Sequence, residues 1–270
     1  MSTVLATLDA TAAGRPVLET ALRVGELTAT SVRVLHVRSD PRQSSETPES
    51  LARRSGVAFE LLEGKVDQAL LSGIENPDVV AVVIGARATP GGRRPVGHTA
   101  QFILEHADKP IVVVPPDTAA PPALRRLLVP LEGTEQSSRP ILQGLWPLLV
   151  ADVELVVLHV FTDLTLPAML DRPRYDLEIL GREFLHRHFR RGRGIDIELR
   201  PGPVASRVIE VSRERGADLI VLSWSRSSAP GTARVIREVI STATLPVLLL
   251  PAAPDSDPMS SEVSRSIVSS

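Results

Sequence analysis

Four glycines, Gly85, Gly91, Gly92 and Gly97, fall within one thirteen-residue stretch and are interleaved with Arg87, Arg93 and Arg94. Glycine lets a backbone come close to a ligand, and arginines beside the start of a helix attract anions. The residues from about His98 to Ala107 read as a helix, which would aim its positive end and free N–H groups at whatever lies over this loop. Phosphate suits that arrangement. A second chemical feature is Asp9, which closes the run VLATLD from Val4. A carboxylate at the carboxyl end of a first strand stands where ligands bind in open α/β sheets. It can accept hydrogen bonds from ribose hydroxyls or an adenine amine, and its bland alternative is to cap the following turn. Val37 ends the next strand-like run, VRVLHV, where its backbone would lie beside Asp9 and face a purine edge.

No catalytic constellation accompanies these residues. His36 and His159 occupy one repeated position at a strand end, which structural equivalence explains better than metal binding. His186 and His188 are two apart on an expected helix and cannot face one ligand together. The sequence has no Gly-x4-Gly-Lys-Ser/Thr loop, no Gly-x-Ser-x-Gly elbow and no His-Glu-x-x-His pair. Cysteine is absent, which removes disulfides and thiol chemistry together. With a net charge of -2 and 3% aromatics, the 270-residue chain lacks the basic field and stacking platform of a general nucleic-acid binder. No apolar run approaches the roughly 20 residues that span a bilayer. We read a soluble, cytoplasmic protein without nucleic-acid or membrane partners.

The elements that must position these residues repeat along the chain. VLATLD returns as LLVPLE, with Glu132 123 residues after Asp9, and LHV ending at Val37 returns at Val160 with the same offset. IVVVP (Ile111 to Pro115) returns as VLLLP (Val247 to Pro251) after 136 residues, so the second copy carries an insertion of about 13 residues, expected around Thr162 to Tyr175. Continuous apolar runs such as Val79 to Ile84 fit strands buried on both faces of a parallel sheet. Between the strands, helices are expected at Pro16–Leu27, Glu49–Gly56, Val66–Ile74, Arg139–Leu149, Asp176–Arg191, Ala205–Arg215 and Thr232–Ser241. Short crossovers of this kind make right-handed βαβ units. The fold class is therefore α/β: two doubly wound, five-stranded, parallel-sheet domains, Rossmann-like in layout. We place the first domain at 1–116, a proline-rich linker at 117–124 that brings the domains face to face, the second domain at 125–251, and a disordered tail without apolar period at 252–270.

Through the strand-end acid of VLATLD, the LHV of the second strand and the block ending HADKPIVVVP, residues 2 to 251 resemble a tandem member of the universal stress protein family. The resemblance implies a doubly wound fold akin to the adenine nucleotide α-hydrolases. It also implies an ATP site with the pattern Gly-x2-Gly-x9-Gly-Ser/Thr after the fourth strand. Carried over, that pattern puts Gly85 at the first glycine, Ala88 at the second and Gly97 at the last, with His98 and Thr99 replacing the Ser/Thr step. The implied nucleotide-binding residues are thus Thr7, Asp9, Val37, Gly85, Ala88, Gly97, His98 and Thr99, with ATP as ligand and Mg accompanying its phosphates. The loop departs from the pattern in Ala88 and in being one residue short. In the second domain the equivalent stretch, SWSRSSAPGTARVIR from Ser223, keeps a single glycine, Gly231, and Glu132 replaces the aspartate.

Two functions follow. One is a stress-response binding module that takes ATP or a related adenine nucleotide in its first domain and is at most a slow ATPase rather than a metabolic enzyme. The other keeps the fold without the ligand, as a dimerising or partner-binding scaffold. In the scaffold reading the strands IVVVP and VLLLP, which the resemblance implies are edges, pair with each other or with a second chain in a homodimer, and Trp224 and Arg226 would cover apolar surface at the domain junction.

Overall fold

The computed structural model describes residues 1–11, 14–40, 46–86, 96–116, 118–131, 141, 145, 153–161, 195–224 and 230–251. The chain begins with β1 (Thr3–Thr7), α1 (Gly14–Thr28), β2 (Ser31–Arg38), α2 (Glu46–Arg54) and β3 (Ala58–Glu63). It continues through α3 (Val66–Glu75), β4 (Val79–Gly85), α4 (His98–His106) and β5 (Ile111–Val114). The second half supplies β6 (Arg126–Pro130), β7 (Glu154–Phe161), β8 (Ile195–Pro201), α5 (Val204–Glu214), β9 (Leu219–Trp224), α6 (Pro230–Thr242) and β10 (Val247–Pro251). Of the expected helix at Arg139–Leu149 only Ile141 and Leu145 are described, both helical and buried; the expected helix at Asp176–Arg191, the insertion and the tail lie outside the described residues.

Ten strands form one sheet in the order β3-β2-β1-β4-β5-β10-β9-β6-β7-β8. Within each half every pairing is parallel, in the doubly wound order expected from the alternation of strands and helices. The halves meet edge to edge, not face to face: β5 and β10 run antiparallel, with Val113 opposite Val247 and Ile111 opposite Leu249. Both strands are buried on both sides. Their apolar runs find the second strand neighbour that a parallel edge needs in each other.

Alternation along the strands divides the core into two clusters, one on each face, and each runs through both halves. Val4, Ala6 and Val34 pack with α1 residues Val17, Leu18 and Ala21 on one face. Leu5, Leu35 and Val113 pack with Ile74, Ile103, Ile236 and Leu249 on the other. Full burial of each such side chain contributes roughly 1.5–3 kcal/mol. α5 ends in a turn whose Gly216 has φ +58, a left-handed closure in which the Ala217 N–H returns to the Ser212 carbonyl at 2.8 Å.

In the block HADKPIVVV, Lys109 has a structural task. Its Nζ donates to the carbonyl oxygens of Asn76 and, at 2.7 Å, Val79, tying the α3–β4 turn to the approach of β5. Burial pulls its pKa below the ordinary lysine value, against the opposing pull of Asp78 and Glu75. The folded chain therefore releases this proton at a lower pH than the unfolded chain. The contribution of Lys109 to stability rises with pH between the folded value and the ordinary one. Urea unfolding of Lys109→Met should show a loss of about 1–3 kcal/mol at neutral pH. The gap to wild type should widen as pH approaches the ordinary lysine value.

Candidate functional site

In the first half the strand order reverses between β1 and β4, since β2 and β3 extend one way and β5 the other. Their carboxyl ends part there, and a cavity of about 430 Å³ opens. Thr7, Asp9, Val37, Gly85, Gly97, His98 and Thr99 all border it. Ala88 lies outside the described residues, as do the loop glycines and arginines between Ala86 and Val96. Seven residues drawn from β1, β2, β4 and α4, up to 92 positions apart, thus share one concave surface.

The residues differ in how free they are. Thr7 is buried, and its Oγ1 donates to the Val83 carbonyl at 3.4 Å, so its hydroxyl serves the β1–β4 pair. Asp9 Oδ1 accepts from the Thr11 backbone N–H at 3.0 Å and from the Thr11 hydroxyl at 2.5 Å. The turn-capping role is real but uses one oxygen; among the described residues Oδ2 has no hydrogen-bond partner. Gly85 closes β4 beside Val114. A Cβ added there would meet only Val17 Cγ2, at 3.5 Å, which is ordinary contact. Neither its backbone conformation nor the surrounding packing requires a glycine.

Gly97 fastens the loop. Its N–H donates to the Ala86 carbonyl at 2.9 Å, joining the two ends of the segment between them. Gly97 is the N-cap of α4, with φ -63 and ψ 156 and no side-chain cap. The first intrahelical bond is Gln101 N–H to the Gly97 carbonyl. The N–H groups of His98, Thr99 and Ala100 therefore lack intrahelical acceptors, and all three residues border the cavity. They form an anion-favouring end of the helix. His98 Nε2 lies 3.3 Å from Asp67 Oδ2 in the first turn of α3, with the imidazole itself largely exposed.

Other helix starts contribute residues that the sequence reading passed over. Gly14 and Val17 of α1 and Val66 and Leu70 of α3 also border the cavity. The signal was the strand–helix alternation itself: every helix that follows a strand of the first half starts at the end where the cavity lies. His36 is 2% exposed, and its Nδ1 is 2.7 Å from the Leu8 carbonyl oxygen. His159 repeats this bond to Leu131 at 2.9 Å, so the two histidines serve one structural purpose. Among the described residues no group of three or more His, Asp or Glu side chains is arranged to hold a metal ion.

The second half differs at the equivalent switch point. Ser223 pairs with Leu250 as Gly85 pairs with Val114, so Ser223 and Trp224 stand where Gly85 and Ala86 stand in the first half. Phe161 lies edge-on to His159, with ring centroids 4.7 Å apart. Trp224 turns to the other half, its Nε1 donating to the Leu104 carbonyl at 2.8 Å. Glu132 and Arg226 lie outside the described residues.

A doubly wound parallel α/β sheet with a ligand-sized cavity at its switch point defines the class. Residues 123–251 match the model of the universal stress protein family. The fold is similar to that of a universal stress protein from Archaeoglobus fulgidus DSM 4304, with 14% identity, a TM-score of 0.63, and coverage of 94% of this chain and 97% of that one. A protein of unknown function from Pseudomonas aeruginosa PAO1 is equally similar in extent, with 14% identity, a TM-score of 0.68 and 93% of each chain covered. No curated protein matches the chain. The family match falls on the half whose loop is the more altered, whereas the fold likeness spans both. No helix among the described residues is long and apolar enough to cross a membrane.

Proposed function

We propose that the chain is a tandem universal stress protein whose first domain, 1–116, binds ATP or a related adenine nucleotide. The second domain, 125–251, joined through 117–124, accompanies it without a nucleotide of its own. The observation that carries this reading is the cavity between the ends of β1 and β4, bordered by Asp9, Val37, Gly85 and the open start of α4. Its volume lies in the range of small-molecule sites, roughly 300–1,000 Å³. Asp9 Oδ2 receives the ribose hydroxyls, the backbone around Val37 the purine edge, and the N–H groups of His98, Thr99 and Ala100 the phosphates, with Mg bound through the phosphates themselves. The protein acts as a regulatory binding module, in the cytoplasm, with at most slow hydrolysis.

Calorimetric titration of the full chain with ATP should show saturable binding that Asp9→Ala weakens by about tenfold, the worth of a hydrogen bond to a charged group. No heat of binding at millimolar ATP would sink the proposal. The alternative reading is a scaffold that pairs domains or partners without a ligand, and its support is the β5–β10 seam together with Ser223 and Trp224 at the second switch point. The same titration separates the two.

A further inference from the structure

Trp224 makes a contact that neither the family match nor the fold explains. Leu104 lies in the last turn of α4, where carbonyl groups run out of helical N–H partners. The Ala107 N–H returns to Ile103, and the next carbonyl, that of Leu104, accepts the indole N–H of Trp224 from the other half at 2.8 Å. This side-chain hydrogen bond joins 1–116 to 125–251. The β5–β10 ladder joins the strands, but between α4 and α6 a groove of about 470 Å³ remains, bordered by Gln101, Leu104, Trp224, Ile236 and Ile240. Packing does not close the two helices on each other, and the indole bridges at one end of the gap.

α4 has nine residues, too few to hold helical structure without tertiary support. Its far end, Gly97 to Ala100, is the anion-favouring wall of the switch-point cavity. We infer that Trp224 is a positioning residue for that cavity: it caps α4 from the second half and so holds the N–H groups of the helix start in place for a phosphate-bearing ligand. The inference rests on the nucleotide reading for the ligand's identity. It concerns the second half's task in that reading, which is to supply a donor for the Leu104 carbonyl.

The test removes the N–H and keeps the ring. In a Trp146→Phe background Trp224 is the single tryptophan. Replacing it biosynthetically by benzothienylalanine substitutes sulfur for the indole N–H with almost no change of shape. In the ligand-free chain, amide exchange at positions 97 and 101, whose N–H groups are bonded to Ala86 and Gly97, should speed up by about three- to tenfold, the factor that one neutral hydrogen bond is worth. ATP affinity should fall by a similar factor while the unfolding transition stays cooperative. Faster exchange confined to positions 104 to 107 would overturn the inference, because the cap would then be local. Unchanged ATP affinity in a protein whose parent binds ATP would overturn it too, leaving the nucleotide reading intact. Faster exchange at positions 97 and 101 in a parent that binds no ATP would uphold the positioning of the helix start and refute the nucleotide reading alone.

Discussion

Gly85→Val is expected to fold like the wild type and to bind ATP at least about thirtyfold more weakly, a loss of ~2 kcal/mol. The two halves of this expectation have separate causes. β4 is a strand in which β-branched residues are at home, and a Cβ at position 85 meets only Val17, at 3.5 Å. Stability should therefore change by less than about 1 kcal/mol, within the usual range for a substitution that breaks no packing. The space a glycine leaves open is part of the cavity wall, so the added methyl groups occupy volume that the ligand needs. The second half already carries the larger Ser223 at this place in the sheet. Thermal unfolding and ATP calorimetry on one preparation decide the matter. Wild-type affinity in the variant would move the ligand elsewhere, and a large loss of melting temperature would make Gly85 structural.

Val113→Asp should destabilise the whole chain by more than about 4 kcal/mol, the range reached when an unpaired charge is buried. Val113 has no exposed surface and faces Val247 across the seam, in the cluster that also holds Ile103, Leu104 and Ile220. That cluster is continuous from one half to the other, so the loss should appear as a single displaced transition. Denaturant titration followed by circular dichroism measures it. A variant within about 1 kcal/mol of wild type would mean that the seam is not buried in solution, since exposed substitutions commonly cost no more than this.

The strands were legible because they are buried on both faces and must be apolar throughout, as in Val79 to Ile84. The equal offsets of Asp9 to Glu132 and Val37 to Val160 then placed β1, β2, β6 and β7 in equivalent positions. From that order the switch point follows, and with it the meeting of Asp9, Val37, Gly85 and Gly97. The pairing of IVVVP with VLLLP was among the expectations, but side-chain pattern does not specify its antiparallel sense or its register, which ladder geometry sets. The target of Trp224 was hidden for a similar reason, since a helix carbonyl 120 positions away leaves no trace in composition. α2 starts at Glu46, three residues before the expected Glu49, and ends at Arg54 before Gly56, whose φ of +67 closes the turn. The parts of the candidate site drawn from Arg87 to Pro95, Ala88 included, remain expectations of the sequence.

A seam formed between β5 and β10 of one chain does not come apart on dilution. Two separate subunits meeting along such an edge would exchange partners and separate as their concentration fell, whereas covalent linkage keeps the second edge at an effective concentration in the millimolar range. Ligand affinity and melting temperature should accordingly not depend on protein concentration. A linked pair is also released from symmetry. Identical subunits must carry every substitution twice, but here Ala86 can border a cavity while Trp224, at the same place in the other half, serves its neighbour.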